Sequence, residues 1–210
     1  MSSEKDIIEA ERRSLREQDR FFSNSAKAER ELWVTREFLV RLGVPFADGE
    51  LKVQTVNSDV DVVFREARFQ IKEITDPGER RHAEIKASLR RAERAVTLQD
   101  LIEPAEARDT LLADLHSLIL AIASSPKYPP GVRATLDLLC YVTRPYAGFN
   151  EPEGSKYDEL EASGWRSISC LLGQRPYVLA ATVSAPDFLL QGWNRRVRRP
   201  TPGLQWTETA

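Results

Sequence analysis

The chain has 210 residues, of which 41% are hydrophobic and 30% charged, and its formal net charge at pH 7 is −2. This length allows one domain with a real hydrophobic core, and the near-neutral charge is not that of a protein that coats nucleic acid. No apolar run approaches the roughly 18 residues of a membrane helix, and the charged N-terminus lacks a signal-peptide core. We therefore expect a cytoplasmic protein without membrane contact.

Helices come first in the chain. Residues 4–22 are highly charged with sparse apolar positions, which predicts a surface helix or a partner-binding arm. A second helix is predicted from residue 26 to residue 42, and it ends at Gly43, a residue suited to helix C-caps. We expect residues 1–25 to form an N-terminal helical arm and residues 26–185 a single domain.

The rest of the chain alternates between strand and helix patterns, which predicts the α/β class. The predicted strands are 51–56, 60–64, 69–73, 136–143, 165–172 and 177–183. The predicted helices are 79–98 and 105–124. From Pro186 onward the sequence looks irregular and rich in arginine. We expect residues 186–210 to be an irregular basic tail packed on the domain.

The segment from Val60 to Glu73 predicts a hairpin of two short strands. Side chains of a strand alternate between its faces, and directly paired residues share a face. Pairing Phe64 with Phe69 separates the polar side chains from the apolar ones, and it sets an aspartate opposite a lysine. The polar face then carries Asp59, Asp61, Gln70 and Lys72. Carboxylate, amide and ammonium groups side by side are the parts of a hard-cation site that could cleave a phosphodiester.

The second predicted helix offers one more carboxylate. With Leu32 as the reference, Glu29 lies at about 60° and inside the apolar arc, whereas Glu31 lies at about 100° on the far edge. A carboxylate facing the core is costly unless it is paired or coordinates a cation, so Glu29 is the candidate site residue. The alternative is a border glutamate that reaches solvent or pairs with Arg36.

The order of these motifs resembles the PD-(D/E)xK nuclease superfamily, which has the restriction-endonuclease-like fold. Residues 26–32 look like the opening helix of archaeal Holliday-junction resolvases. Residues 60–63 resemble their strand with the metal-binding aspartate, and residues 69–72 resemble their strand with the E-x-K pair. The whole chain also resembles a bacterial family of uncharacterised proteins described only as candidate endonucleases.

The resemblance implies a core of order α-β-β-β-α-β, with a mixed sheet flanked by helices, an extra N-terminal helix and additional C-terminal strands. It implies an endonuclease that hydrolyses DNA, and dimers are common in this class. Asp61, the Gln70 oxygen and Glu29 would hold Mg²⁺ or Mn²⁺, with Asp59 as an added ligand. Lys72 would stabilise charge on the phosphoryl oxygens, although it could equally be a strand lysine paired with Asp61.

Gln70 departs from the superfamily pattern, in which an aspartate or glutamate is usual at this position. Its neutral amide oxygen holds a hard cation more weakly than a carboxylate does. Two functions therefore remain open from the sequence. The chain is either an active nuclease or an inactive protein of the same fold that binds nucleic acid or a protein partner.

Phosphate contacts are predicted on two arginine-rich segments. Arg91 and Arg94 lie on one stripe of the helix at 79–98, although interspersed glutamates also allow a solvated helix with ion pairs between successive turns. The tail cluster contains no acidic residue and is the better candidate. It consists of Arg195, Arg196, Arg198 and Arg199.

Overall fold

The computed structural model describes residues 3–54, 58–75, 81–102, 112–143 and 157–197, without the side chains of residues 112–113 and 194–197. Within these ranges the chain forms a six-stranded mixed sheet and seven α-helices, which confirms the predicted α/β class. The helices are α1 Glu4–Phe21, α2 Lys27–Leu42, α3 Arg81–Arg94, α4 Leu112–Ala123, α5 Pro130–Arg133, α6 Asp158–Ala162 and α7 Asp187–Val197. The strands are β1 Leu51–Val53, β2 Val62–Phe64, β3 Ala67–Ile74, β4 Asp137–Val142, β5 Ser167–Leu172 and β6 Arg175–Ala181.

The strands lie side by side in the order in which the chain forms them. Strands β1, β2 and β3 are antiparallel neighbours, β3, β4 and β5 are parallel, and β6 runs antiparallel to β5. Parallel neighbours need crossover connections, and α3 and α4 precede β4 while α6 precedes β5. Every residue of β4 is buried, as expected for a parallel strand covered on both faces.

Each face of the sheet has its own apolar core. On one face, Phe38 of α2 packs with Phe69 and Leu139, and α7 covers the same cluster. On the other face, Ile119 of α4 packs with Trp165 and the residues around them. The sheet therefore separates two helical layers, and a polar residue on a strand belongs to one layer or the other.

Helix α1 lies against α3. The Arg12 guanidinium donates hydrogen bonds to the carbonyl oxygens of Ala92, at 2.9 Å, and Ala95, at 3.0 Å. These bonds satisfy acceptors at the C-terminal end of α3, where a helix leaves its last carbonyls free. At the other end of the pair, His82 Nε2 lies 2.9 Å from Asp19 Oδ1. The predicted arm thus contains the helix expected there, held on the neighbouring helix; the predicted domain boundaries stay predictions.

The turn of the hairpin is shorter than the sequence predicted. Phe64 pairs with Ala67, and Val62 pairs with Phe69, so the predicted pairing of Phe64 with Phe69 is wrong by two residues. Only Arg65 and Glu66 form the turn, with Arg65 at φ 50° in the left-handed region. Because strand side chains alternate with a period of two, this shift leaves each β3 side chain on its predicted face.

The predicted irregular tail is wrong over residues 187–197, because these residues form α7. Leu189 is fully buried, and Phe188 and Trp193 pack against the same apolar cluster as α2. Gly192 faces the sheet so closely that a Cβ there would lie 2.8 Å from a methyl group of Val178. Tertiary packing therefore fixes a helix that the local sequence did not indicate.

None of the helices in the described ranges is long and apolar enough to cross a membrane. Three stretches of the predicted elements lie outside the described residues: 55–56 of the first strand, 79–80 of the third helix and 105–111 of the fourth helix. The helical C-cap predicted at Gly43 is confirmed, with φ 77° and hydrogen bonds to the carbonyls of Leu39 and Val40.

Candidate active site

Asp61 is the centre of the polar cluster at the hairpin. It directly precedes β2, and only 6% of the residue is exposed. Its Oδ2 accepts a hydrogen bond from the Ile71 backbone N–H at 2.8 Å and another from the Gln70 amide nitrogen. Its Oδ1 accepts a hydrogen bond from Lys27 Nζ at 3.2 Å. Strand β3 and helix α2 thus fix the carboxylate in one orientation, with Gln70 beside it.

Lys27 bridges two carboxylates. Its ammonium lies 3.0 Å from Glu31 Oε1, one helical turn further along α2, and 3.2 Å from Asp61 Oδ1. Burial raises the pKa of Glu31 above its ordinary value, and repulsion by Asp61 raises it further, while Lys27 acts in the opposite direction. Two acidic groups this close are stable as anions only if a cation neutralises them.

Glu31, and not Glu29, is the helix carboxylate of this cluster. The Glu29 side chain is 54% exposed and pairs with Arg20 at 3.4 Å, so its predicted position on the core face is wrong. Glu31 is only 8% exposed because it lies on the stripe of α2 that continues through the fully buried Val34 and Phe38. The spacing of three and four residues between these positions was the sequence signal that could have identified Glu31.

Lys72 lies on β3 beside this cluster and is half-buried. Burial lowers the pKa of Lys72 below its ordinary value, and attraction to Asp61 opposes that shift. Its ammonium lies 5.6 Å from the centre of the Tyr128 ring, a cation–π distance. Cys140 is its neighbour on β4. The ion-pair partner of Asp61 is Lys27, so Lys72 is a second ammonium group near the carboxylates, with a separate position.

The donor set for a metal is two carboxylates and one amide. Asp59, the fourth predicted ligand, is exposed. Within the described residues, no group of three or more His, Cys, Asp or Glu side chains could hold a metal ion. Glu31 and Asp61 are nevertheless close enough for one cation to contact both, because the Lys27 ammonium already contacts both carboxylates at hydrogen-bond distance. Gln70 would have to turn its amide, since its nitrogen now faces Asp61.

A second buried carboxylate, Asp137, has a structural role. It is fully buried at the start of β4 and accepts hydrogen bonds from the Arg68 backbone N–H and the Ser167 hydroxyl, both at 2.8 Å. Arg166 pairs with it as well, through Nε at 3.1 Å. Protein donors therefore occupy its oxygens, and none of them is exposed as the Lys27 partner of Asp61 is, with 56% of its side chain accessible.

The predicted phosphate-binding arginines lie on α3 and α7 or beyond. Arg94 is exposed in the last turn of α3, whereas Arg91 is half-buried and contacts Ser88 at 3.2 Å. Exposed basic side chains recur every four residues on α3, at Lys86, Arg90 and Arg94. Arg195 and Arg196 lie in α7, but their side chains fall outside the described residues, as do Arg198 and Arg199 entirely.

A family model described as "Putative endonuclease, protein of unknown function (DUF1780)" matches residues 3–203. The chain belongs to the DUF1780 family. This match confirms the predicted resemblance to a family of candidate endonucleases. It covers every residue of the site from Lys27 to Lys72, together with all seven helices and the whole sheet.

One solved structure resembles this DUF1780 protein over most of its length. It is a protein of unknown function from Pseudomonas aeruginosa strain PAO1, described as a member of the monooxygenase superfamily, with a TM-score of 0.57 and 24% identity. The similarity covers 91% of this chain and 93% of the other. At this identity the likeness is one of fold. No curated protein matches the chain.

Proposed function

We propose that this DUF1780 protein is a metal-dependent endonuclease that hydrolyses DNA phosphodiester bonds. The observation that carries the proposal is the meeting of Glu31 from α2 with Asp61 from the hairpin around a single cationic group. Gln70 and Lys72 lie two residues apart on strand β3, so their side chains share one face of that strand. The description of the family, as candidate endonucleases of unknown function, supports the same reaction class.

The chain topology supports a restriction-endonuclease-like core. Helix α2 is followed by the antiparallel strands β1, β2 and β3, then by helices, and then by β4 parallel to β3. This is the α-β-β-β-α-β order that the resemblance to PD-(D/E)xK nucleases implies. Helix α1 and strands β5 and β6 are the expected additions at the two ends.

A Mg²⁺ or Mn²⁺ ion held by Glu31, Asp61 and the Gln70 oxygen would polarise the scissile phosphate and favour deprotonation of the attacking water. Asp61 is held ready for this role because its orientation comes from the β3 backbone. Gln70 leaves the ligand set one negative charge short of a carboxylate triad, so we expect weak metal binding. The exposed residues Glu29 and Asp59 are not among the ligands we propose.

Lys72 would act on the phosphate rather than on the metal. Its side chain is half-buried, so a hydrogen bond from its ammonium to a phosphate would form where water screens charge poorly. Charge that develops on the phosphoryl oxygens in the transition state is stabilised by such a fixed donor. Its partial burial would also restrict the rotamers of the side chain and so keep the ammonium in place when no substrate is bound.

The DNA backbone would lie along the exposed basic stripe of α3, formed by Lys86, Arg90 and Arg94, and along the arginines of residues 195–199. Basic groups at four-residue spacing present a row of positive charge on one side of a helix. Each such group that reaches a phosphate releases bound counterions, so the affinity would depend on salt.

A second function is favoured by Gln70 together with Lys27. A neutral glutamine and an ammonium that already neutralises the acidic pair are also what an inactive fold member would contain. Such a protein would bind nucleic acid or a protein partner without cleaving it. The two functions differ in one measurable property, which is metal-dependent turnover.

The test is nicking of supercoiled, branched and single-stranded DNA by the full chain with Mg²⁺ or Mn²⁺. We expect cleavage by the unmodified protein and a loss of at least about a hundredfold in the Lys72→Ala variant. Equal cleavage in the two preparations would point to a contaminating nuclease. If neither cleaves while both bind DNA, the binding function replaces the catalytic one.

A further inference from the structure

Lys27 occupies the place between the two carboxylates where a metal would bind. Its Nζ lies 3.0 Å from Glu31 Oε1 and 3.2 Å from Asp61 Oδ1. Both carboxylates are nearly buried, with side-chain exposures of 10% and 6%, whereas the Lys27 side chain is 56% exposed. The two carboxylates are therefore enclosed by the protein, whereas the ammonium that joins them belongs to a largely solvated side chain.

A lysine ammonium and a divalent ion compete for the same oxygens. Both need direct contact with the carboxylates, and two positive groups at that separation repel each other strongly in a partly buried site. Lys27 lies at the first residue of α2, so its side chain can swing toward solvent without disturbing the helix. Its departure would leave Glu31 and Asp61 as two adjacent unneutralised anions, a state that a divalent cation relieves.

We infer that Lys27 is a built-in competitor for the metal. Its ammonium occupies the carboxylates of Glu31 and Asp61 until a phosphate of the nucleic acid attracts it away. The inference rests on the proposed metal site and adds a role for Lys27, a residue to which the resemblance assigns none. Lys27 has two alternative partners, the carboxylates or a phosphate. Because a shared residue links the two binding events, metal and nucleic acid must each strengthen the binding of the other to the same extent.

The experiment measures Mn²⁺ affinity by the electron paramagnetic resonance signal of free Mn²⁺, at constant pH and ionic strength. Full-length protein is titrated alone and with a single-stranded DNA oligonucleotide whose phosphorothioate linkages resist hydrolysis. Lys27→Met removes the charge and keeps an apolar stem of similar length. Lys5→Met, at the exposed start of α1, is the matched control for the loss of one positive charge.

We expect Lys27→Met to bind Mn²⁺ at least about tenfold more tightly than the unmodified protein or Lys5→Met in the absence of DNA. The oligonucleotide should tighten Mn²⁺ binding to the unmodified protein and leave Lys27→Met unchanged. Equal Mn²⁺ affinity in all three proteins would overturn the inference, as would an equal response of all three to DNA. Thermal unfolding checks that each variant is folded, and Lys27→Gln replaces Lys27→Met if the latter unfolds.

The outcome also separates this inference from the proposed function. If none of the proteins binds Mn²⁺, the metal site itself is wrong and both proposals fail. If Mn²⁺ binds equally to all and Glu31→Gln weakens that binding, the metal site stands and only the role of Lys27 is rejected. If Lys27→Met binds more tightly and yet no protein cleaves DNA, the competition is real and the nuclease activity is not.

Discussion

Lys27 and Asp61 are 34 residues apart in the chain, yet the ammonium of one lies 3.2 Å from the carboxylate of the other. The contact joins the first turn of α2 to the residue that precedes β2. It marks the corner where the helix meets the hairpin, and Glu31 and Gln70 converge on the same point. This corner is either a catalytic site or a closed ion-pair network, and substitutions at its residues distinguish the two.

Two glutamates of α2 provide the sharpest comparison. Glu31→Gln removes a carboxylate from the cluster, and we expect it to lower metal-dependent cleavage by at least about tenfold and to weaken Mn²⁺ binding. Glu29→Gln makes the same chemical change on the exposed side of the same helix and should leave both quantities unchanged. Initial rates of plasmid nicking measure the effect, and the opposite ranking would restore Glu29 as the helix ligand.

Asp61→Asn tests the central carboxylate with little change of shape. The asparagine oxygen can still accept the Ile71 N–H, so we expect a folded protein whose cleavage rate is at least about a hundredfold lower. Asp59→Asn is the control, because Asp59 is exposed nearby on the chain. Circular dichroism establishes the fold of both variants. Full activity in a folded Asp61→Asn protein would remove Asp61 from the mechanism.

Glu31 also predicts a pH dependence of stability. Burial and the neighbouring Asp61 raise its folded-state pKa, so the folded protein binds more protons than the unfolded chain between the two pKa values. Its contribution is fully present below the unfolded pKa and is lost as the pH rises through the folded pKa. Urea unfolding measures the free energy of unfolding from about pH 4 to about pH 8. This free energy should fall more steeply with pH for the unmodified protein than for Glu31→Gln. Parallel profiles would contradict the raised pKa.

Asp137 should be essential for stability and irrelevant to metal binding. Asp137→Ala leaves the Arg166 guanidinium and the Ser167 hydroxyl without their shared acceptor, and we expect a loss of about 3–5 kcal/mol in the free energy of unfolding. Asp158→Ala, at an exposed position on α6, should change it by less than about 0.5 kcal/mol. Chemical denaturation compares the two, and similar small losses would show that Asp137 is dispensable.

The exposed stripe of α3 predicts a change in the salt dependence of DNA binding. Arg94→Gln removes one phosphate contact and should lower the slope of log affinity against log salt by about 1. Arg36→Gln, which removes an exposed arginine paired with Asp48, should leave the slope unchanged. Fluorescence anisotropy over a range of salt concentrations gives both slopes. Equal slopes in all proteins would place the DNA away from α3.

The hairpin shows why a wrong pairing can still give the right face. The turn holds only Arg65 and Glu66, and neither is a residue that marks a two-residue turn in a sequence, as Asn or Gly would. The predicted pairing therefore differs from the observed pairing by two residues, which is one full period of side-chain alternation. Gln70 and Lys72 are both near Asp61, as predicted, but the residue directly beside Asp61 is Gln70 and not Lys72.

Helix α2 shows the opposite case, in which a small error in the predicted core-facing direction changes which glutamate is assigned to the site. Trp33 and Val40 are apolar yet 47% and 53% exposed, and Trp33 packs edge-to-face on Phe21 of the preceding helix. Such exposed apolar residues shift the mean direction of the apolar side chains around the helix away from the stripe that faces the core. The sequence alone cannot show that α1 supplies this second, shallow contact, so the apolar pattern favours Glu29 over Glu31.

The parallel pairing of β3 with β4 has a consequence for folding. Every residue of the proposed site, from Lys27 to Lys72, precedes β4 in the chain, yet β3 is flanked on one side by Asp137–Val142. Closing so long a loop costs chain entropy before the new contacts repay it, and non-local pairing of this kind slows folding. During synthesis, the carboxylates and lysines would leave the ribosome well before the strand that supports them. All residues of the proposed site are thus synthesised long before the strand that flanks β3 can form.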